Sequence, residues 1–381
     1  MTRPPLPPNH TLGVFGGGQL GRMFAMAAAR LGYRVAVYSP EPDCPAAHVS
    51  AQFICADYTD EAAVRRFADS VDAVTYEFEN VPSDTLRWIG DRVPALPQPD
   101  ILHTCRHRIR EKTFLRDHGI PVTPFKSVTS ATELEAAAQR LGGAVIVKTV
   151  ELGYDGKGQV RFDGSQPAAS AWKALGNPAT AIAEEVIALE KEYSILVARD
   201  TSGTTVFHGP YENTHRNHIL DTTVWQANDP SPIANQLREI AAAVALAFDL
   251  TGMICVECFL SATGDLMVNE IAPRPHNSGH VSIEAESISQ FEQQVRMTAG
   301  WPAVAPHPHA PAAAMVNLLG DLWDDGEPDW QAVLDDPRVH LHLYGKQAAR
   351  PGRKMGHITA LADTPSAALQ VALAARSRVS G

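Results

Sequence analysis

Between residues 11 and 90, short apolar strands alternate with helical segments. Residues 11–15, 35–38 and 73–76 read as strands, and 19–31, 60–69 and 83–90 as helices. Strands joined through a helix return to the same end of a sheet, so they lie parallel. The alternation therefore predicts an α/β layer with helices on its faces. Pro94, Pro97 and Pro99 break the pattern and mark the boundary of a first domain, residues 1–107.

The later pattern is less regular and reads as α+β. A helix is expected at 108–118, ended by Gly119 and Pro121. Strands follow at 144–148, 159–162, 181–185, 193–198 and 204–208, then a long helix at 232–248. Residues 253–260 and 265–271 read as a hairpin about the turn 262–264, and 286–299 as a helix. The stretch 301–311 carries Pro302, Pro306, Pro308 and Pro311 and reads as a linker. Residues 312–381 read as a small mixed α/β piece.

The formal net charge is -11, with no long basic run, which argues against a nucleic-acid partner. No apolar stretch is long enough to cross a bilayer, so no membrane association is expected. The cysteines are Cys44, Cys55, Cys105, Cys255 and Cys258, an odd and sparse set that suits a reducing, cytoplasmic setting. Cys255 and Cys258 form a C-x-x-C, but on a strand that spacing puts the sulfurs on opposite faces, against a zinc site. His307 and His309 read as solvated spacer residues. His340 and His342 alternate with Leu341 and Leu343 and are expected at solvent or a domain seam.

Gly16, Gly18 and Gly21 match G-x-G-x-x-G between a strand and a helix. A dinucleotide site also needs an acid at the end of the next strand, and the nearest is Glu41, beyond Pro40. A phosphate held at the helix start is the favoured reading. A purely structural turn and a nicotinamide site are the alternatives.

Three features of the middle section suggest chemistry. Lys148 closes the apolar strand 144–147, which aims an ammonium out of the sheet end; a solvated strand-end lysine is the bland alternative. Gly153, Tyr154, Asp155, Gly156, Lys157, Gly158 and Gln159 form a glycine-rich loop able to wrap phosphate oxygens, though an ordinary hairpin would look similar. Glu257 and Glu270 each interrupt an apolar strand of the proposed hairpin, and a lone buried carboxylate demands a cation. Across a tight turn they would face each other. With Asn269 they offer hard oxygen ligands suited to Mg²⁺; a structural Glu–Arg pair is the alternative. A lysine, a glycine loop and two such carboxylates together describe γ-phosphoryl transfer.

The stretch Lys112–Thr113–Phe114–Leu115, the run 119–124 and Val145–Ile146–Val147–Lys148 resemble the opening of an ATP-grasp domain. Glu184–Glu185–Val186–Ile187 resembles its hinge, and the hairpin at 253–270 its magnesium site. The chain further resembles the N5-carboxyaminoimidazole ribonucleotide synthetase family. The residues carrying that likeness are 16–23, Thr75 to Val81, 153–159, Asn269 to His280 and Arg350 to His357. Phe78 and Pro275 depart from the family pattern, as does 208–212, although Asn213 and His215 fit.

The resemblance implies an ATP-grasp fold with an N-terminal Rossmann-like pre-ATP-grasp domain and a small C-terminal domain. The corresponding bounds are 1–107, 108–300 with a flexible subdomain near 120–208, and 312–381. It implies a homodimer using ATP with Mg²⁺, or Mn²⁺ in its place, to carboxylate aminoimidazole ribonucleotide (AIR) with bicarbonate. Arg108, Lys148, Lys157 and His215 would meet nucleotide phosphates or close the cleft, with Gly153 to Gln159 as a lid. Glu184, Glu185, Val186, Ile187 and Glu192 would hold adenine and ribose. Glu257 and Glu270 would bind the metal, with Asn269 alongside. The AIR phosphate would lie near Gly18, Gln19, Leu20, Lys346, Arg353 and Lys354, and Glu77 would meet its ribose. Tyr154 and Asp155 would orient the amine, Arg274 would hold bicarbonate, and His276 is a candidate base. Another ATP-grasp ligase, such as a formate-dependent glycinamide ribonucleotide transformylase, is the rival reading.

Overall fold

The computed structural model describes residues 4–90, 92–151 and 157–379. The expectations for Gly153, Tyr154, Asp155 and Gly156 lie outside the described residues.

The first layer contains β1 (Thr11–Phe15), α1 (Gln19–Arg30), β2 (Arg34–Ser39), β3 (Gln52–Cys55), α2 (Glu61–Asp69), β4 (Ala73–Tyr76) and α3 (Ser83–Gly90). Its strands run parallel in the order β3-β2-β1-β4, as the alternation predicted. One face buries Phe15, Tyr38, Phe67 and Tyr76, and the other Val14, Phe24 and Val37. The edge strand β3, which has no fully buried position, escaped the sequence reading. The proline boundary also hides a helix, α4 (Pro99–Cys105). Pro99 stands in its first turn, where a missing N–H leaves no bond unmade.

Helix α5 (Arg108–Asp117) leads into a second sheet. Its parts are β5 (Phe125–Val128), α6 (Ala131–Arg140), β6 (Val145–Thr149), β7 (Gln159–Phe162), α7 (Ala168–Ala174) and β8 (Ala181–Glu185). The order is β5-β8-β6-β7, antiparallel throughout. Leu134, Ala138 and Trp172 of the two helices close its core.

The third sheet has eight strands: β9 (Leu189–Arg199), β10 (Thr205–Arg216), β11 (Ile219–Gln226), β12 (Gly252–Ser261), β13 (Leu266–Ala272), β14 (Ala312–Leu319), β15 (Val339–Leu343) and β16 (Lys354–Ala362). Their order is β13-β12-β9-β10-β11-β14-β16-β15. Helix α8 (Pro232–Ala247) covers one face through Leu237, Ala241 and Val244 against Ile195, Val197 and Val256. The short α9 (Ser282–Ala285) and α10 (Gln290–Ala299) cover the other, where Leu196, Met253 and Cys255 lie. Cys255 and Cys258 therefore belong to opposite faces, as their spacing required.

Two expectations are corrected. Strand β10 runs to Arg216 and turns into β11 through Asn217 and His218, both at positive φ (50° and 65°). That is a tight two-residue hairpin loop built without glycine. The helix expected from residue 286 begins only at Gln290, because Ser289 accepts from the Glu292 N–H and starts it there. The C-terminal segment, expected as a small mixed α/β piece, adds β14, β15 and β16 to the large sheet. The helices α11 (Gln331–Leu334) and α12 (Pro365–Val379) close that end, with Ala368, Ala372 and Ala375 buried. The proline-rich stretch is tied down: the Ala303 N–H donates to Asp200 at 2.9 Å, and Ala285 and Ser287 bond to it.

Candidate active site

A cavity of about 350 Å³ opens where the parallel layer, α5 and the β12–β13 hairpin meet. Its walls include Glu257, Glu270, Arg274, His276 and Lys354, with Gln19 and Leu20 from the start of α1.

The hairpin places the acids. Glu257 pairs in register with Glu270, and the next pair is Cys258 with Val268. Asn269 is thus the extra residue of a bulge, which departs from strict alternation and re-aims a side chain. Its Oδ1 is buried and has no hydrogen-bond partner among the described residues. Two partly buried carboxylates and an orphaned amide oxygen are hard oxygen donors, of the kind that suit Mg²⁺. Among the described residues no group of three or more His, Cys, Asp or Glu side chains is gathered to hold a metal ion.

The two carboxylates are unequal. Burial and the neighbouring Glu270 push Glu257 upward. Burial also works to raise Glu270, but the Arg108 guanidinium at 2.8 Å outweighs it and holds Glu270 low. The structural Glu–Arg pair considered from sequence is therefore present, between Arg108 and Glu270. His276 Nε2 lies 3.3 Å from Glu257, and burial lowers the ring's pKa. Arg274 is held by Glu79 at 2.8 Å.

Two expected contacts change. Glu184 was expected to meet adenine or ribose, yet it is 2% exposed. Lys148 stands 2.6 Å and Lys112 3.5 Å from its carboxylate. Burial works to raise Glu184, and the two lysines outweigh it and lower it. An acid so deep needs those cations. The second change is at α1. The carboxylate of Glu77 accepts from the N–H groups of Gly18 and Gly21, the latter at 2.7 Å. The helix start thus already holds an anion, and the Gly18 amide is not turned to a nucleotide phosphate. Gly16, at φ 114°, lets the chain pass close to Glu77.

The other expected residues fall into two groups. Lys354 lines the cavity; Lys346 and Arg353 do not. Lys346 donates to the Lys354 carbonyl at 2.7 Å, and Arg353 to that of Ala348 at 2.8 Å. Burial, then Arg353, push Lys346 down to about 8, against the pull of Glu77. Glu185, Val186, Ile187, Glu192 and His215 also lie off the cavity wall. His215 pairs with Glu192 at 2.7 Å, which outweighs burial and raises it. Gln159 reaches His218, and Lys157 is exposed. His342 lies at a seam, 2.7 Å from Glu284 and stacked on His357.

Sequence reasoning gave no role to Glu79, Glu111 or Lys112. Glu111 and Lys112 are 2% and 1% exposed on α5. Charges on the buried face of a helix that also buries Leu115 were the available signal.

Three family profiles match in succession: a ribonucleotide synthetase preATP-grasp domain over 9–106, an ATP-grasp domain over 113–291, and a phosphoribosylaminoimidazole carboxylase C-terminal domain over 313–371. The N5-carboxyaminoimidazole ribonucleotide synthase of Brucella melitensis is 42% identical over 362 residues, covering 94% of this chain and 98% of that one. The chain belongs to the N5-carboxyaminoimidazole ribonucleotide synthase family. A bifunctional purine synthesis protein of Dictyostelium discoideum is 41% identical over 374 residues, and the chain spans 37% of that longer protein. The Staphylococcus aureus synthetase solved with ADP superposes with TM-score 0.91 at 34% identity, over 98% of this chain and 99% of that one. The Aspergillus clavatus synthase, solved with ADP and 5-aminoimidazole ribonucleotide, gives TM-score 0.87 at 29% identity, over 98% and 99%. The fold of this synthase-family chain is accordingly ATP-grasp, between a preATP-grasp and a C-terminal domain. Among the described residues no helix is long and apolar enough to cross a membrane.

Proposed function

We propose that the chain uses ATP and bicarbonate to carboxylate the amine of AIR, forming the N5-carbamate, ADP and phosphate. The observation that carries this reading is the cavity itself. It brings the paired acids Glu257 and Glu270 together with the cations Arg274 and Lys354 in one lining. The acids with Asn269 suit a divalent cation, Mg²⁺ or Mn²⁺ in its place, which supplies charge neutralisation to the triphosphate when bound.

A bicarbonate oxygen attacks the γ-phosphorus as ADP leaves, giving carboxyphosphate. The AIR amine attacks its carbonyl carbon, phosphate departs, and the amine proton is lost. Arg274, fixed by Glu79, binds the one-carbon oxyanion. Lys148, steadied by Glu184, meets the nucleotide phosphates, with Arg108 and Lys157 adding charge. Glu185, Val186, Ile187 and Glu192 take adenine and ribose, and His215 orders Glu192. Lys354, with Lys346 and Arg353 behind it, faces the AIR phosphate, and Gln19 and Leu20 line its approach. Tyr154 and Asp155 orient the amine, and the loop 153–158 shields carboxyphosphate from water. All five cysteines are free, in keeping with a cytoplasmic enzyme. The reading includes the homodimer that the family resemblance implies.

Phosphate release with ATP and Mg²⁺ tests this. Bicarbonate should be required, and AIR should convert the turnover into carbamate. Turnover with formate and glycinamide ribonucleotide instead would replace it with the transformylase reading.

A further inference from the structure

A chain of polar groups runs from His276 into the protein. His276 Nδ1 lies 2.8 Å from Ser278 Oγ, which lies 2.6 Å from Ser194 Oγ. Asn213 Nδ2 donates to Ser194 Oγ at 2.8 Å, and Thr223 Oγ1 donates to Asn213 Oδ1 at 2.9 Å. Ser194, Ser278 and Thr223 are wholly buried and Asn213 nearly so. The sheet sets the spacing: Asn213 and Thr223 face each other across β10 and β11, and Ser194 stands opposite Glu257 across β9 and β12.

The chain has a direction. An amide nitrogen only donates, so Ser194 accepts from Asn213, and its own hydrogen is left for Ser278. Ser278 then turns its hydrogen to His276 Nδ1. The Ser278 backbone N–H also faces Nδ1, at 3.4 Å, so two donors converge on that nitrogen. An Nδ1 that accepts leaves the ring hydrogen on Nε2. Nε2 faces Glu257 at 3.3 Å, on the wall shared with Arg274 and Lys354.

We propose that Ser278, Ser194 and Asn213 are positioning residues that lock His276 as an Nε2–H donor to the one-carbon oxyanion, so that His276 is not the base for the amine proton. The ring's free nitrogen is sealed behind Ser278, and the nitrogen facing the cavity already carries hydrogen. The ligand named rests on the bicarbonate reading above; the tautomer does not.

The test uses the full chain with ¹⁵N-labelled histidine. NMR of the ligand-free protein reads the tautomer of His276 without any assay of turnover. The Nε2–H form is expected in the natural sequence; an Nδ1–H or charged ring there overturns the proposal. Asn213→Asp replaces the donor with an acceptor of the same shape and reverses the chain. His276 should then gain hydrogen on Nδ1, and kcat/KM for bicarbonate should fall about tenfold with ADP affinity kept within twofold. Should that variant fail to fold, Ser278→Ala interrupts the chain without adding charge and should show the same kinetic split. His276→Gln, which keeps a donor near the Nε2 position, should be about tenfold more active than His276→Ala. An unshifted ring together with undiminished bicarbonate turnover in Asn213→Asp or Ser278→Ala would refute the relay. Equal loss in His276→Gln and His276→Ala would refute the donor role. If the natural protein shows no bicarbonate-dependent turnover but does show the Nε2–H ring, the functional reading fails and the relay stands.

Discussion

Glu257 and Glu270 stand in register on adjacent strands, two partly buried carboxylates with different partners. Glu270 carries Arg108 at 2.8 Å, whereas Glu257 faces His276 at 3.3 Å. Burial first, and then the neighbouring Glu270, push Glu257 upward against the weaker pull of His215 and Arg274. Such a pair resists simultaneous ionisation until a further positive charge arrives.

Glu257→Gln should relieve that repulsion. Unfolded in urea without metal, the variant should be more stable than the natural chain by about 1 kcal/mol. With Mg²⁺ and ADP the order should reverse, because the natural chain gains binding energy that the variant lacks. Phosphate release should drop by about a hundredfold or more.

Glu184→Ala should act on stability first. It removes the carboxylate between Lys112 and Lys148 and leaves two buried ammonium groups uncompensated. A loss of about 3–5 kcal/mol is expected by denaturant melting. Replacing Lys112 by Met in the same chain should recover part of it, since one of the stranded charges is gone.

Sequence made some of this legible and hid the rest, for physical reasons. An acid in an apolar strand violates its burial pattern, so Glu257 and Glu270 stood out. The bulge at Asn269 left no mark, because one extra residue changes neither composition nor run length. Glu77 and Gly18 are separated by 59 residues, and Lys148 and Glu184 by 36, so their pairing exists only in the folded sheets. The parallel order of β1, β2 and β4 was readable from connection type. The growth of the large sheet through β14, β15 and β16 was not, because antiparallel strands do not declare which edge they join.

Lys346 gives a pH dependence. Its folded value is lowered from 10.5 to about 8, chiefly by burial. The unfolded chain binds the extra proton between those values, so this lysine makes stability rise with pH from 8 to 10.5. Lys346→Met should flatten the rise in melts taken across that range. Binding runs the other way. A phosphate needs the ammonium form, so KM for AIR should climb above pH 8 in the natural chain and lose that inflection in the variant.

Lys354 and Arg353 are neighbours with different stations, and kinetics should separate them. Lys354 reaches the cavity wall, whereas Arg353 donates to the carbonyl of Ala348 and stays behind it. Lys354→Ala should raise KM for AIR at least tenfold and also lower kcat, because its charge faces the reacting groups. Arg353→Ala should raise KM for AIR by about threefold, through loss of field and loop order, with KM for ATP little changed in either variant. An Arg353→Ala effect equal to that of Lys354→Ala would mean that the segment around 350–354 closes over the nucleotide and brings both cations to its phosphate. Initial rates at varied AIR and fixed saturating ATP decide between the two arrangements.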